Sequence, residues 1–255
     1  MTEGFTGRIT RAAELIACSR NTVALTGAGI STPSGIPDFR SPESGLWTTA
    51  DPMEVASIES FRVNPQAFYT WNRDLALRIA AARPNAAHVA LAELETLGRL
   101  RMVITQNVDN LHQKAGSRRV VEVHGNLQES TCLTCGKVIP TAEIQDCVFE
   151  GRVPHCSCGG VYKPNAVFFG EMLPFKALME AREAAETCDT MIVVGSSLEV
   201  VPAADMPWIA LRKGASVLVF NMSPTAIDEY AEVVVRGDVA VSLPRLLEEV
   251  RARVK

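Results

Sequence analysis

The sequence predicts an α/β fold: a parallel sheet with helices on both faces, interrupted by a small insert of different composition. Three observations carry this. Short apolar runs alternate with longer amphipathic stretches along most of the 255 residues, the pattern of strand–helix units feeding one covered sheet. A turn without bulky side chains, Gly27-Ala28-Gly29, follows the first apolar run, where backbone can bend tightly and approach a ligand. Between Asn126 and Lys163 the composition shifts to Cys, Gly and polar residues, which marks a separate module.

Arg8–Ser19 carries Ile9, Ala12, Ala13, Leu15 and Ile16 at helical spacing and leads into a buried strand at Thr22–Leu25, ended by Thr26-Gly27. Backbone N–H groups at the turn that follows, above a helix N-terminus, would suit a pyrophosphate. The loop is still unlike the dehydrogenase fingerprint. Thr32 stands where a third glycine belongs, Pro33 and Pro37 break the expected helix, and the chain runs on into Asp38-Phe39-Arg40. A lone GxG is equally well a plain turn. About fifteen loop residues ending in a carboxylate, an aromatic ring and a guanidinium favour function, since long loops in compact domains usually carry it.

Ser41–Asp51 is polar, with Pro42, Gly45 and Pro52 as punctuation. Helices are expected near Met53–Ser60 and over Pro65–Ala82, the second opened by proline. Their aromatics, Phe61, Phe68, Tyr69 and Trp71, suit packing better than a pocket lining. Asn85–Gly98 reads as a helix stopped by glycine, with His88 in its middle. Strands follow at Met102–Thr105 and Val120–Val123. Past the insert come strand Asn165–Phe169, helix Phe175–Thr187, strand Thr190–Val194 and helix Pro202–Arg212. Strands Ser216–Phe220 and Ala231–Val235 and helix Val239–Val250 complete the chain. The implied division is a Rossmann-like domain from 1–46, 83–125 and 164–255, a helical module at 47–82 and the insert at 126–163.

In such a sheet, ligands sit beyond the carboxyl ends of the strands. Those ends carry Gly27-Ala28-Gly29, Gln106-Asn107-Val108-Asp109-Asn110-Leu111-His112, His124-Gly125, Gly195-Ser196-Ser197 and Asn221-Met222-Ser223. All are small or polar and should converge on one crevice. His124 has glycine beside it, which gives a ligand room, and an imidazole there can act as a base near neutral pH. His88 reads as a core histidine, and His112 as a stabiliser of its loop.

Of seven cysteines, four cluster as Cys132-Leu-Thr-Cys135 and, twenty residues on, Cys156-Ser-Cys158. Two glycine-flanked thiolate pairs read as a tetrahedral, structural zinc site. The second pair has one intervening residue instead of two; it would chelate if extended, with His155 or Cys147 as substitutes. Cys18, Cys147 and Cys188 read as inert thiols.

A net charge of −4 gives no general pull toward nucleic acid. Lys114, Arg118 and Arg119 make only a small basic group. Met1–Thr10 shows no secretory pattern and no apolar run is long enough for a bilayer, so a cytoplasmic protein is expected.

The motifs above, with Gly35-Ile36-Pro37-Asp38-Phe39-Arg40 and Val167-Phe168-Phe169-Gly170-Glu171, resemble the sirtuins, NAD-dependent protein-lysine deacylases. The resemblance runs in order from about Ala13 to Val250 and looks like the compact bacterial or archaeal type. It implies that NAD is consumed as an electrophile. Ala28, Gly29, Thr32, Arg40, Gly195, Ser196, Ser197, Asn221 and Val239 would hold the dinucleotide, with Asp38 and Gln106 in the same cofactor set. Val108, Asp109 and Ile36 would hold the nicotinamide amide, and Asn107 would lie by the ribose. His124 would take a proton from the ribose hydroxyls, and Phe39 would shield the anomeric carbon. Val167 and Phe169, with Glu199 and Val200, would bind the peptide as an added strand. Products would be free lysine, nicotinamide and O-acyl-ADP-ribose.

The resemblance also implies acylated-lysine proteins or peptides as partners, a structural zinc on Cys132, Cys135, Cys156 and Cys158, no membrane, no nucleic acid, and a monomer. Family members specialised for acidic acyl groups carry a Tyr-x-x-Arg pair. Here Tyr69 could match the tyrosine, but Asn72 stands at the arginine position, with Arg73 next to it. Acetyl-lysine is therefore favoured, with longer uncharged chains open. Rival readings are a mono-ADP-ribosyltransferase, a nonenzymatic NAD sensor and a zinc-ribbon nucleic-acid binder.

Overall fold

The computed structural model describes residues 4–41 and 45–254. Pro42, part of the polar stretch noted above, lies outside the described residues. Helix α1 (Phe5–Cys18) buries Ile9, Ala12, Ala13 and Ile16 along one face and feeds strand β1 (Thr22–Thr26), all five of whose residues are buried. The short helices α2 (Pro52–Val55) and α3 (Ile58–Val63) precede α4 (Pro65–Ala81). Next come α5 (Ala86–Thr96), β2 (Met102–Thr105), α6 (Leu111–Lys114) and β3 (Val120–Glu122). The insert supplies β4 (Glu129–Cys132), β5 (Val138–Pro140), α7 (Gln145–Phe149) and β6 (Tyr162–Pro164). The chain then forms α8 (Phe175–Thr187), β7 (Thr190–Val194), α9 (Met206–Arg212), β8 (Ser216–Asn221), β9 (Val233–Arg236) and α10 (Val239–Arg253).

Six strands form one parallel sheet in the order β3-β2-β1-β7-β8-β9. The order reverses between β1 and β7, which makes a crevice at their carboxyl ends. One face of the sheet is covered by α1, α5 and α10 through Ile16, Leu91, Leu94, Leu243 and Leu246. The other carries α8 and α9 through Ala181, Ala185, Met206 and Ala210. A second, antiparallel sheet, β5-β4-β6, belongs to the insert.

The helical module and the insert share one aromatic core of Ile58, Phe61, Phe68, Tyr69, Val148 and Phe168. The Tyr69 hydroxyl donates to the Tyr162 carbonyl at 2.7 Å, and Gln66 Nε2 to the Gly151 carbonyl. The two therefore form a single small lobe beside the large sheet.

Three expectations need correction. Asn165–Phe169 is not a strand of the large sheet. Its N–H groups go to three separate partners, Asn165 to Glu129, Val167 to His124 and Phe169 to Ala56, so no ladder can form. The helix expected near Met53–Ser60 is two helices, because the Ser57 side chain accepts from Ser60 N–H and starts α3 afresh. His88 is not mid-helix but sits in the first turn of α5, where its Nδ1 accepts from Asn85 N–H and completes a capping box.

Candidate functional site

At the crevice the two central strand ends touch. Gly29 N–H donates to the Gly195 carbonyl at 2.8 Å. A Cβ on Gly27 would lie 2.8 Å from that carbonyl oxygen, and one on Gly195 only 2.3 Å from Ile30 N. Much of the need for glycine here is thus strand-end packing. The expected helix after the turn is two 3-10 turns, Ala28–Ile30 and Thr32–Ser34, as the prolines require. Among the described residues, the N–H groups of Ala28, Thr32, Ser196 and Ser197 have no protein partner, the donors an anion needs. Val239 opens α10 against this turn, under the cap of Asp238.

A chain of buried hydrogen bonds lies beneath. Asn107 Nδ2 donates to the Gly27 carbonyl (3.0 Å) and to Ser31 Oγ (3.1 Å), and Ser31 donates to Asp109 Oδ2 (2.6 Å). Asp109 Oδ1 accepts from Leu111 N–H. Asn107 is thereby held from its amide end while its carbonyl oxygen stays free. Ser31 was not singled out for this; its complete burial inside a polar loop is the feature that marks it. Gln106 Nε2 donates to Ser196 Oγ (2.9 Å), and Asn221 Nδ2 to the Ser196 carbonyl (3.1 Å), so three strand ends are tied together. Ile36 packs on Ala82 and Leu111.

His124 lies over this network. Its Nδ1 is 3.0 Å from the Gln106 carbonyl, an oxygen that can only accept, so Nδ1 carries the proton and Nε2 the lone pair. Nε2 is buried, without a protein partner among the described residues. Burial lowers the histidine pKa, and the Arg40 charge lowers it further against the opposing Gln106 bond. The ring is therefore neutral, with a basic nitrogen, at physiological pH. Gly125 follows at φ +71°, and a Cβ there would come 2.0 Å from the Asn165 carbonyl oxygen.

The loop before the small lobe holds itself. Asp38 accepts from Arg40 and Ser41 N–H and from the Ser41 hydroxyl, so its carboxylate shapes the turn. Arg40 pairs with Glu199 at 2.9 Å, joining a predicted cofactor residue to a predicted peptide residue. Phe39 stacks on Trp47 (5.2 Å), Trp47 on Trp71 (5.5 Å), and Phe169 meets Trp47 edge-on. Trp47 escaped sequence reasoning because it lies in a polar stretch. Tyr69 is 1% exposed with its hydroxyl committed to Tyr162, so it cannot anchor an acidic acyl group.

In the segment Asn165–Glu171, Phe169 spends both backbone groups on Ala56 and Ile58. Among the described residues, the Val167 carbonyl and Gly170 N–H have no protein partner, and across the cleft Val200 follows Glu199.

The Sγ atoms of Cys132, Cys135, Cys156 and Cys158 all lie within 4.8 Å of one another, with contacts of 3.5 and 3.8 Å. Zinc–sulfur bonds of about 2.3 Å set tetrahedron edges near 3.8 Å, so the four thiols fit zinc. Cys156–Gly160 is a turn, closed by Cys156 N–H on the Gly160 carbonyl, and not the extended Cys-x-Cys expected. The Cys158 backbone N–H and the Tyr162 side chain bring the Cys156 thiol down to about 6. His155 and Cys147 stay outside the cluster.

Together these features define a doubly wound nucleotide-binding protein with a buried neutral histidine at the crevice and four thiols grouped to hold a metal. The family model described as "Sir2 family" matches residues 27–202. A curated relative, NAD-dependent protein deacylase 2 of Archaeoglobus fulgidus, is 47% identical over 245 residues, 95% of this chain and 96% of its own. A solved Sir2 enzyme superposes with a TM-score of 0.92 at 46% identity, covering 96% of this chain and 98% of the other. A Sir2 structure with a deacetylated p53 peptide and 3′-O-acetyl-ADP-ribose gives 0.90 at 42%, covering 94% and 98%. The chain belongs to the Sir2 family, the sirtuins.

Proposed function

We propose that the protein is an NAD-dependent protein-lysine deacylase acting on acetyl-lysine and longer uncharged acyl-lysines. The observation that carries this is the His124 tautomer: a buried imidazole with Nδ1–H fixed on Gln106 and an unpartnered Nε2. Such a nitrogen accepts a proton from a ribose hydroxyl without prior rearrangement. NAD supplies an electrophilic anomeric carbon and leaves as nicotinamide and an acylated ADP-ribose. The free N–H groups of Ala28, Thr32, Ser196 and Ser197 suit its pyrophosphate, with Gly29, Gly195, Asn221, Arg40, Gln106 and Val239 around them. Asp38 acts indirectly, by shaping the loop. Asn107 offers its carbonyl oxygen to the ribose. Asp109, Val108 and Ile36 bound the nicotinamide side. Phe39, backed by Trp47, keeps water from the reacting carbon.

An acyl-lysine peptide adds as a strand between Val167–Phe169 and Glu199–Val200, using the free Val167 carbonyl and Gly170 N–H. Zinc holds the insert together and takes no part in the chemistry. The described parts of 1–46, 83–125 and 164–255 make the large lobe and 47–82 and 126–163 the small one, with Phe168 reaching across into the core of the small lobe. The chain works as a cytoplasmic monomer. Among the described residues no helix is long and apolar enough to cross a membrane.

The test is to incubate the protein with an acetyl-lysine peptide and NAD, beside His124→Ala, following nicotinamide and peptide mass together. Loss of the acetyl mass matched one-to-one by nicotinamide, and reduced about 10²–10⁴-fold in the variant, is expected. Nicotinamide release with the peptide still acetylated would replace this reading with ADP-ribosyl transfer.

A further inference from the structure

Lys163 is a buried lysine outside the reaction chemistry described above. Its side chain is 8% exposed, yet its ammonium is fully engaged. Nζ donates to the carbonyls of Pro164 (2.9 Å) and Ala166 (2.7 Å), pairs with Glu171 at 2.9 Å, and lies 4.2 Å from the centre of the Phe168 ring. Glu171 is equally committed. Its carboxylate accepts from Phe168 N–H (2.8 Å), while its own N–H donates to the Phe168 carbonyl (3.0 Å). Phe168–Glu171 is thus a closed turn with Gly170 at φ +84°.

The consequence falls on the backbone between the two charges. Five contacts fix residues 164, 166, 168 and 171, and the groups left without protein partners among the described residues include the Val167 carbonyl and the Gly170 N–H. Burying an ion pair seldom adds net stability over apolar packing, so its retention asks for a geometric reason. We infer that Lys163 and Glu171 are a positioning pair that presents the Val167 carbonyl and Gly170 N–H as a preformed docking edge for the backbone of the acyl-lysine substrate. This rests on the strand-addition reading given above. The pair touches neither the strand ends nor His124, so its effect belongs to peptide binding and not to cofactor binding.

The experiment measures the Kd of a fluorescently labelled acetyl-lysine peptide, and the KM for NAD at saturating peptide, in wild type, Lys163→Met and Glu171→Gln. Methionine fills the lysine's space without its donors. Glutamine keeps an acceptor for Phe168 N–H, and so a folded protein, while removing the charge. Peptide Kd is expected to rise tenfold or more in Lys163→Met and at least threefold in Glu171→Gln, with the KM for NAD within twofold. Unchanged peptide Kd in both variants, or peptide Kd and NAD KM rising together, overturns the assignment. A peptide N-methylated on the backbone amides flanking the acyl-lysine separates the two ideas. If wild type binds it as tightly as the parent, strand addition itself fails and the pair has nothing to position. If wild type rejects it while both variants keep wild-type affinity for the parent peptide, the positioning role alone fails.

Discussion

Acid should destabilise this protein through a histidine that takes no part in the proposed chemistry. His112 is 1% exposed, and its Nε2 lies 2.9 Å from Thr26 Oγ1. That hydroxyl gives its own hydrogen to Thr105 Oγ1, so the imidazole must be the donor, and Nδ1 is left as a lone pair without a partner among the described residues. Protonating Nδ1 would place a cation against the ring of His88, 4.9 Å away. Burial first, and His88 second, bring the His112 pKa down from 6.5 to about 3. The unfolded ring takes up a proton below about 6.5, while the native ring stays neutral until about 3. In that window the unfolded state binds more protons, so this stability is whole above pH 6.5 and is lost as pH falls. At about 1.4 kcal/mol per unit, pH 5.5 removes about 1.4 kcal/mol and pH 4.5 about 2.7 kcal/mol. His88, lowered to about 4 mainly by burial, adds with the same sign. Urea unfolding of wild type and His112→Gln at pH 7.5, 6.5 and 5.5 reads the effect, because glutamine keeps an N–H donor for Thr26. Acid loss of zinc is common to both proteins and cancels in the difference. Wild type should lose about 1.4 kcal/mol more than the variant between pH 7.5 and 5.5; parallel curves would refute the reasoning.

Other outcomes follow from the same geometry. Gly125→Ala puts a Cβ 2.0 Å from the Asn165 carbonyl oxygen at positive φ and should cut deacylation at least tenfold while lowering the thermal midpoint. Tyr69→Phe leaves the buried Tyr162 carbonyl without its donor and should cost about 1–3 kcal/mol in urea unfolding. Chelating zinc should lower the melting temperature and expose tryptophan to quencher, since Trp71 packs against the core shared with the insert; an unchanged melting curve would contradict a structural metal.

The α/β class was legible because strands such as Thr190–Val194 are buried on both faces and read as unbroken apolar runs. The boundaries of α8 and β7 came out as expected from the sequence. Asn165–Phe169 has the same apolar character, but its partners come from β4, the His124 turn and the helical module, and no local pattern reports partners. The strand-end motifs could be placed in one crevice from the sheet rule alone. Their internal wiring could not, because Ser31 and Asp109 lie 78 positions apart. His88 is in the core as expected, 0% exposed, but it lies in the first turn of α5 and not in its middle, where it also caps the helix, a contact that side-chain spacing alone does not report. Lys163 could have been noticed as a lone cation between Val161-Tyr162 and Ala166-Val167-Phe168-Phe169, where only a buried partner would make it tolerable.

The order of the large sheet also bears on how the chain is made. Strand β1 is central, and its register joins Thr22 to Thr190, a separation of 168 residues. A ribosome adding 5–20 residues per second needs roughly 10–30 s to supply that partner. Throughout that time Thr22–Thr26, an uncharged β-prone segment, has at least one hydrogen-bonding edge open, and both until β2 is made. Nascent chains stalled between Thr105 and Thr190 should therefore be the form of this protein most dependent on holding chaperones, and the most prone to pair with one another.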